Sequence, residues 1–204
     1  MLSLDHLAVA GEVLAAARAH AEAALDVTLQ PGGRHDIFGT HNRLLGLADG
    51  LYLEAIAADP DAAAPDRARW FDLDRFSGPA RLTNWICRCD DLDAALAQLP
   101  DGFGQPVDLQ RGDLRWRMAV PEDGRLPFDN LAPALIQWTG GGHPAQRLAP
   151  SDCRLLQLSI RHPEGAALRD LLASLLTDAR IDIAAGAAAL TARFATPRGE
   201  RTLA

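Results

Sequence analysis

The 204-residue sequence contains no lysine, so all 20 of its basic residues are arginines. Schiff-base chemistry, covalent attachment of pyridoxal phosphate and the phosphate contact of a P-loop all need a lysine amine. The sequence therefore excludes these mechanisms. Serine is also scarce, and none of the five serines lies in the G-x-S-x-G pattern of a nucleophile elbow.

Positive charge is sparse and scattered, and the formal net charge is −7. Because binding to nucleic acids depends largely on a positive surface that neutralises phosphates, we expect no nucleic-acid partner. The sequence also lacks an apolar run of the ~18 residues that a membrane helix needs. Its first residues lack the cationic start of a signal peptide. We therefore expect no membrane partner and a cytoplasmic location.

Cysteine is rare, with only Cys87, Cys89 and Cys153. Three cysteines are too few for a disulfide framework, and the C-x-C spacing is not the usual one for zinc or redox sites. We predict that all three are buried, reduced thiols.

The first 58 residues alternate between strand-like and helix-like patterns. Residues 4–9 read as a strand and residues 12–25 as an amphipathic helix. Three extended pieces follow at 34–38, 43–47 and 51–57, and Asp49-Gly50 supplies a hairpin turn between the last two. The predicted order for this first module, residues 1–58, is βαβββ.

The same order starts again in residues 81–150 and once more, in shortened form, in residues 151–204. Equivalent opening residues are His6, Asn84 and Gln157, which are 78 and 73 residues apart. A repeat of this size indicates internal duplication. Residues 59–80 form a connector whose large apolar side chains should dock on the body of the protein. These side chains are Trp70, Phe71, Leu73 and Phe76.

Several short motifs in a fixed order resemble the vicinal oxygen chelate superfamily, the glyoxalase and bleomycin-resistance fold. They include Asp5–Val9 and Tyr52–Ile56 at the two ends of the first module. Gly39–Leu45, Ile136–Trp138 and His143–Ala145 resemble the glyoxalase-like domain branch of that superfamily. The resemblance implies an α+β fold. Two βαβββ modules would form a curved sheet around a cleft, with the helices outside and a third, truncated βαβββ repeat, in one compact unit.

The resemblance also implies a set of ligand positions, on the first and fourth strands of each module. They fall on His6, Glu54, Asn84 and Gln137. Strand alternation independently places His6 and Glu54 on the cleft face. His6 and Glu54 are therefore the candidate catalytic residues, and with Gln137 the candidate ligands for zinc, nickel, manganese or iron. Neutral amides bind such ions less well, so we expect no cofactor, with a divalent metal as the alternative.

Further polar residues are expected to line the cleft and bind the ligand. Arg88 lies four residues after Asn84 on the same strand face, where it could bind a carboxylate or phosphate. The loop 121–133 should cover the mouth of the cleft as a lid. The full substrate-binding set is Asn42, Asn84, Arg88, Gln137 and His41.

Two functions remain open from the sequence. The first is a glyoxalase-like protein that binds a small molecule in a metal-poor cleft. The alternative is a metal-dependent lyase or isomerase acting on a small substrate with vicinal oxygens. Ring-cleaving dioxygenase chemistry fits less well, because Asn84 stands where those relatives have a second histidine. Whether the protein is an enzyme and whether it forms a homodimer stay open. For either function, we expect His6, Glu54, Asn84 and Gln137 to converge in the cleft.

Overall fold

The computed structural model describes residues 1–204, which form two β-sheets and four short helices. The first module contains β1 (Ser3–Ala10), α1 (Leu14–Leu25), β2 (Gln30–His35), β3 (Thr40–Gly46) and β4 (Tyr52–Ala58). The second contains β5 (Arg81–Arg88), α2 (Leu92–Leu96), β6 (Gln105–Arg111), β7 (Leu114–Val120), α3 (Pro127–Asn130) and β8 (Ala134–Gly140). The third contains β9 (Arg154–His162), α4 (Gly165–Leu172), β10 (Ile181–Ala185), β11 (Ala189–Thr196) and β12 (Gly199–Leu203).

The first two modules share one strongly curled sheet of eight strands, in the order β2-β3-β4-β1-β5-β8-β7-β6. Within each module the first strand pairs in parallel with the fourth, and β1 pairs antiparallel with β5 to join the modules. The curl brings the edge strands β2 and β6 close together. The predicted curved α+β fold is thus confirmed.

Helix α1 lies on the convex side of this sheet, against β1 and β4. Its buried residues Ala17, Ala21 and Leu25 recur every four positions, which places them on one face of the helix. Polar and exposed positions lie between them. Their spacing is the pattern that predicted the helix from the sequence.

Strand β2 starts earlier than predicted, and the expected strand over 34–38 is wrong. Gly32 and Gly33 lie inside the strand where other side chains occupy the space beside them, that of Asn42 at Gly32 and that of Arg111 at Gly33. A Cβ atom on Gly32 would lie 2.0 Å from Asn42 Oδ1, and the Gly33 amide donates to that oxygen at 2.7 Å. Phe38 instead lies in the turn before β3, where its ring stacks on Trp70 at 4.3 Å.

The third module forms a separate four-stranded sheet, in the order β10-β9-β11-β12. Its element order is the predicted βαβββ, but its first strand pairs in parallel with the second strand and not with the last. The module is tied to the first one by backbone hydrogen bonds. The amide of Leu2 donates to Leu175 at 2.7 Å, and that of Ala48 to Cys153 at 2.8 Å.

We propose that all three modules fold as one unit. Deletion of residues 152–204 would uncover Leu2 and the face of α1 that contacts β12. We expect the truncated chain to aggregate or to lose its cooperative thermal transition, because burial of this apolar surface is lost. Circular dichroism and size-exclusion chromatography measure both. A soluble, monomeric truncated chain with unchanged stability would contradict the proposal.

The connector docks as predicted, since Trp70, Phe71 and Leu73 are buried. The three cysteines are buried and free, which confirms the expectation for them. None of the helices combines the length and apolar character that crossing a membrane requires.

Candidate functional site

A small cavity lies on the concave side of the curled sheet. Its volume is about 30 Å³, roughly the space of one water molecule in the liquid. The polar residues around it are His6, His35, Asn42, Glu54 and Arg111. The remaining lining residues are Leu44, Tyr52, Trp70, Phe71, Trp116, Met118, Ile136, Trp138 and Pro144.

Glu54 is held in this cavity by Asn42. The Asn42 amide nitrogen donates to Glu54 Oε1 at 2.5 Å, while its oxygen accepts from the Gly33 amide at 2.7 Å. On the paired strands Leu44 lies opposite Glu54, so Asn42 reaches it as a diagonal neighbour. Both residues are about 5% exposed. The glycine-containing strand β2 therefore fixes Asn42, and Asn42 fixes the carboxyl group of Glu54.

His6 faces Glu54 from the neighbouring strand. Its Nε2 atom lies 3.8 Å from Glu54 Oε2, and its ring stacks on Tyr52 at 4.2 Å. Its Nδ1 atom lies 2.6 Å from Asp5 Oδ1. Burial and the nearby charges of Asp5 and Glu54 raise the pKa of Tyr52, so its phenol stays neutral. The predicted meeting of His6 and Glu54 is present in the structure.

Asp5 is a central residue of this site that sequence reasoning missed. Besides His6, its carboxylate is bonded to His143 Nε2 at 2.9 Å and to Trp138 Nε1 at 3.0 Å. Burial opposes ionisation of Asp5, but the hydrogen bonds from His143 and His6 outweigh it and hold the pKa well below its usual value. Asp5 is therefore a buried anion that orients its neighbours.

A β-bulge explains why alternation failed to predict the role of Asp5. Leu4 lies opposite Cys87 and His6 opposite Ile86, so Asp5 is an extra residue in β1. Bulges re-aim side chains, whereas strict alternation would put Asp5 and His6 on opposite faces. Two adjacent polar residues within an otherwise apolar strand were the available signal.

Gln137 does not join His6 and Glu54, so the predicted convergence is wrong for this residue. Its neighbours Ile136 and Trp138 line the cavity, which places Gln137 on the helix-facing side of β8. There its Nε2 donates to the Asp90 carbonyl at 2.7 Å, and its Oε1 accepts from the Leu92 amide at 3.2 Å. A register difference of one residue reverses the face of every side chain in a strand.

Replacement of Gln137 by alanine is expected to lower the free energy of unfolding by about 1–2 kcal/mol, because it leaves two backbone groups at the start of α2 without partners. Ligand binding in the cleft should not change. Chemical denaturation followed by circular dichroism measures the loss, with Gln110→Ala as an exposed control. Loss of ligand binding in a fully folded Gln137→Ala protein would contradict this placement.

Asn84 lies at the covered end of the cleft, away from His6. It is fully buried, and its amide exchanges hydrogen bonds of 3.4 Å with the side chain and carbonyl of Asn130. Asn130 also donates to the Phe71 carbonyl at 3.2 Å. The loop 121–133 therefore covers Asn84, while Trp70 and Phe71 of the connector close the cavity. The expectation that this loop forms the lid over the mouth is wrong, because the connector occupies that place.

The structure places His41 and Arg88 outside the cavity lining. His41 alternates with Asn42 along β3, and its Nδ1 atom lies 3.9 Å from Asp59 Oδ1 on the other face. Arg88 lies at the end of β5 with its Nη1 atom 3.7 Å from Asp5 Oδ2. A direct ligand contact by either residue stays a prediction that this geometry does not favour.

His35 and Arg111 line the cavity but had no predicted role. His35 Nδ1 lies 3.0 Å from Thr40 Oγ1, and its Nε2 lies 3.3 Å from Arg111 Nη1. Burial, followed by the charge of Arg111, lowers the pKa of His35 to about 3. His35 is therefore neutral near pH 7, and its Nε2 accepts from the guanidinium.

The donor set around the cavity does not fit a bound divalent transition metal. Only His6 Nε2 and the Glu54 carboxyl group face each other, and the second module contributes Ile136 and Trp138 where further ligands would stand. Zinc sites use at least three protein ligands. No group of three metal-binding His, Cys, Asp or Glu side chains occurs in the structure.

Comparisons with known proteins agree with the fold. A family model described as a glyoxalase-like domain matches residues 4–176. A hypothetical protein from Staphylococcus aureus is 12% identical, with 99% of this chain and 84% of that chain covered and a TM-score of 0.59. Methylmalonyl-CoA epimerase from Mycobacterium tuberculosis is 19% identical over 68% of this chain and 88% of its own, with a TM-score of 0.43. No curated protein matches the sequence. The chain therefore belongs to the glyoxalase-like domain family.

Proposed function

We propose that this protein binds a small organic molecule in the concave cleft without using a metal ion. The observation that carries the proposal is the buried pair of His6 and Glu54, 3.8 Å apart at the base of an otherwise largely apolar cavity. A few fixed polar groups in an apolar pocket are typical of ligand sites. Asn42 is hydrogen-bonded to Glu54 and Asp5 to His6, so both side chains are held in place before a ligand binds.

The walls of the cleft suit a flat or apolar ligand body. Trp116 and Trp138 lie side by side on the adjacent strands β7 and β8, with 5.5 Å between their ring centroids. Met118 and Ile136 continue this apolar wall. Trp85, in contrast, is fully buried away from the cavity, and its indole donates to the Leu131 carbonyl at 2.8 Å. Two of the three strand tryptophans are therefore available to a ligand.

A ligand larger than water must displace the connector turn. Trp70 and Phe71 fill the cavity mouth, and the Trp70 indole nitrogen is buried without a hydrogen-bond partner. Phe71 has a positive φ of 60°, which is unfavourable for a bulky residue. Both features lower the free-energy cost of moving this turn aside. We propose that the turn Trp70–Asp72 opens when the ligand enters.

Proton transfer is the second candidate function, and the contact between Asp5 and His6 favours it. With Nδ1 held at 2.6 Å by a buried carboxylate, His6 presents Nε2 toward Glu54. An imidazole and a carboxyl group within reach of the same carbon centre are suited to take and return a proton in an isomerase or lyase. This candidate needs the same binding cleft.

Tryptophan fluorescence tests the binding proposal with benzamide as an uncharged aromatic probe. We expect a saturable change in emission, because Trp116 and Trp138 line the site. Trp138→Phe should reduce the change, whereas Trp85→Phe, at a residue outside the cleft, should retain it. A linear, non-saturating response in all three proteins, for benzamide and for its charged analogue benzoate, would contradict the proposed function.

A further inference from the structure

Arg111 is the arginine in the cavity wall, and Gly33 on the neighbouring edge strand leaves space for its side chain. It ends β6, the edge strand that the curl of the sheet brings close to β2. A Cβ atom on Gly33 of β2 would lie 2.7 Å from Arg111 Cδ. The glycine at this position therefore makes room for the arginine stem. The half-buried guanidinium reaches the cavity from the opposite module to Glu54.

The charge of Arg111 is not neutralised by a protein carboxylate. Two other arginines of the same module are paired, Arg117 with Asp93 at 2.6 Å and Arg147 with Asp113 at 2.6 Å. The polar contact of Arg111 is instead the neutral ring of His35, at 3.3 Å. Because burial and the charge of Arg111 keep His35 unprotonated, this contact positions the guanidinium without giving it an ion-pair partner.

We propose that the ligand of this cleft carries a carboxylate that binds to Arg111, with its apolar body against the wall formed by Trp116 and Trp138. This inference rests on the proposed function and names the ligand class. An arginine offers paired N–H donors that match the two oxygens of a carboxylate. A partly buried cation without a counter-ion gains from such an anion, since the surrounding apolar side chains screen the attraction poorly. His6 and Glu54 then face the part of the ligand that lies beyond the carboxylate.

The test compares benzoate with benzamide, which has nearly the same shape and no charge. Full-length protein is titrated with each at one fixed ionic strength, and tryptophan emission gives the two dissociation constants. We expect benzoate to bind about tenfold or more tightly, equal to about 1.4 kcal/mol. Arg111→Gln should remove this preference, and Arg111→Lys should keep part of it because the charge remains. Arg115→Gln, which changes an exposed arginine of the next strand, should retain it fully.

The possible failures are distinguishable. Equal binding of both probes, unchanged in Arg111→Gln, would contradict the role of Arg111 and leave the binding function standing. Absence of saturable binding for both probes would contradict the proposed function and this inference with it. Circular dichroism and thermal melting of each variant establish that it is folded. The Arg111→Lys protein provides the comparison if Arg111→Gln does not fold.

Discussion

Between pH 7 and pH 5, the free energy of unfolding is expected to fall by about 2 kcal/mol through His35 alone. Its pKa is lowered from 6.5 to about 3 in the folded protein. In that interval the unfolded chain binds a proton at this position and the folded chain does not. Stability therefore rises with pH between about 3 and 6.5, and it is lost as the solution becomes more acidic.

Urea denaturation at half-unit steps of pH measures this slope. His35→Gln removes the titrating group, so its free energy of unfolding should change much less between pH 7 and pH 5. His20→Gln is a matched control on the surface of α1, where the ring contacts the Ala204 carbonyl. An unchanged slope in His35→Gln would show that His35 is not buried in a neutral form. Asp5 does not disturb the comparison, because its lowered pKa affects stability only below its usual range near 3.8.

Replacement of Asp5 by alanine is expected to lower the free energy of unfolding by about 3–5 kcal/mol, the usual effect of removing one partner from a buried charged network. Three donors would lose their acceptor: the rings of His6 and His143 and the indole of Trp138. Asp5→Asn keeps the shape and one acceptor, so it should lose less. Chemical denaturation at pH 7 measures both variants.

An exposed ion pair supplies the control for Asp5. Asp113 bonds Arg147 at 2.6 Å on the surface, and Asp113→Ala should lower stability far less than Asp5→Ala because water and salt screen an exposed pair. Asp5→Ala should also weaken the binding of benzamide, since His6 is no longer oriented. A loss for Asp5→Ala as small as that for Asp113→Ala would contradict the role assigned to the buried carboxylate.

The modular fold was predictable because its signals are local and repeated. The strand, helix and turn patterns of residues 1–58 return in residues 81–150, and the hairpin turn at Asp49-Gly50 has the positive φ angles that favour these residues. His6 and Glu54 were placed on the cleft face by alternation together with the resemblance. The pairing of Glu54 with Asn42 was not predicted, although both residues were expected to line the cleft.

What the sequence did not predict depends on register and on contacts between distant segments. The bulge at Asp5 and the face of Gln137 each depend on a one-residue difference in strand pairing, and composition does not encode that difference. The strand through Pro31-Gly32-Gly33 packs against Asn42 at Gly32 and against Arg111 at Gly33, and the local sequence pattern encodes neither contact. Likewise, Arg111 meets His35 only because the sheet curls until β6 reaches β2.

The central claim is that this cleft is an organic ligand site with only two of the donors that a transition metal needs. Metal content of the purified protein, measured by mass spectrometry in chelator-free buffer before and after a zinc titration, tests it most directly. A complete zinc site binds with roughly 10–16 kcal/mol and would keep its ion through desalting into chelator-free buffer. We predict far less than one metal ion per chain and only weak zinc binding. One zinc or nickel ion per chain, lost in Glu54→Gln, would contradict the claim and favour the metal-dependent lyase or isomerase.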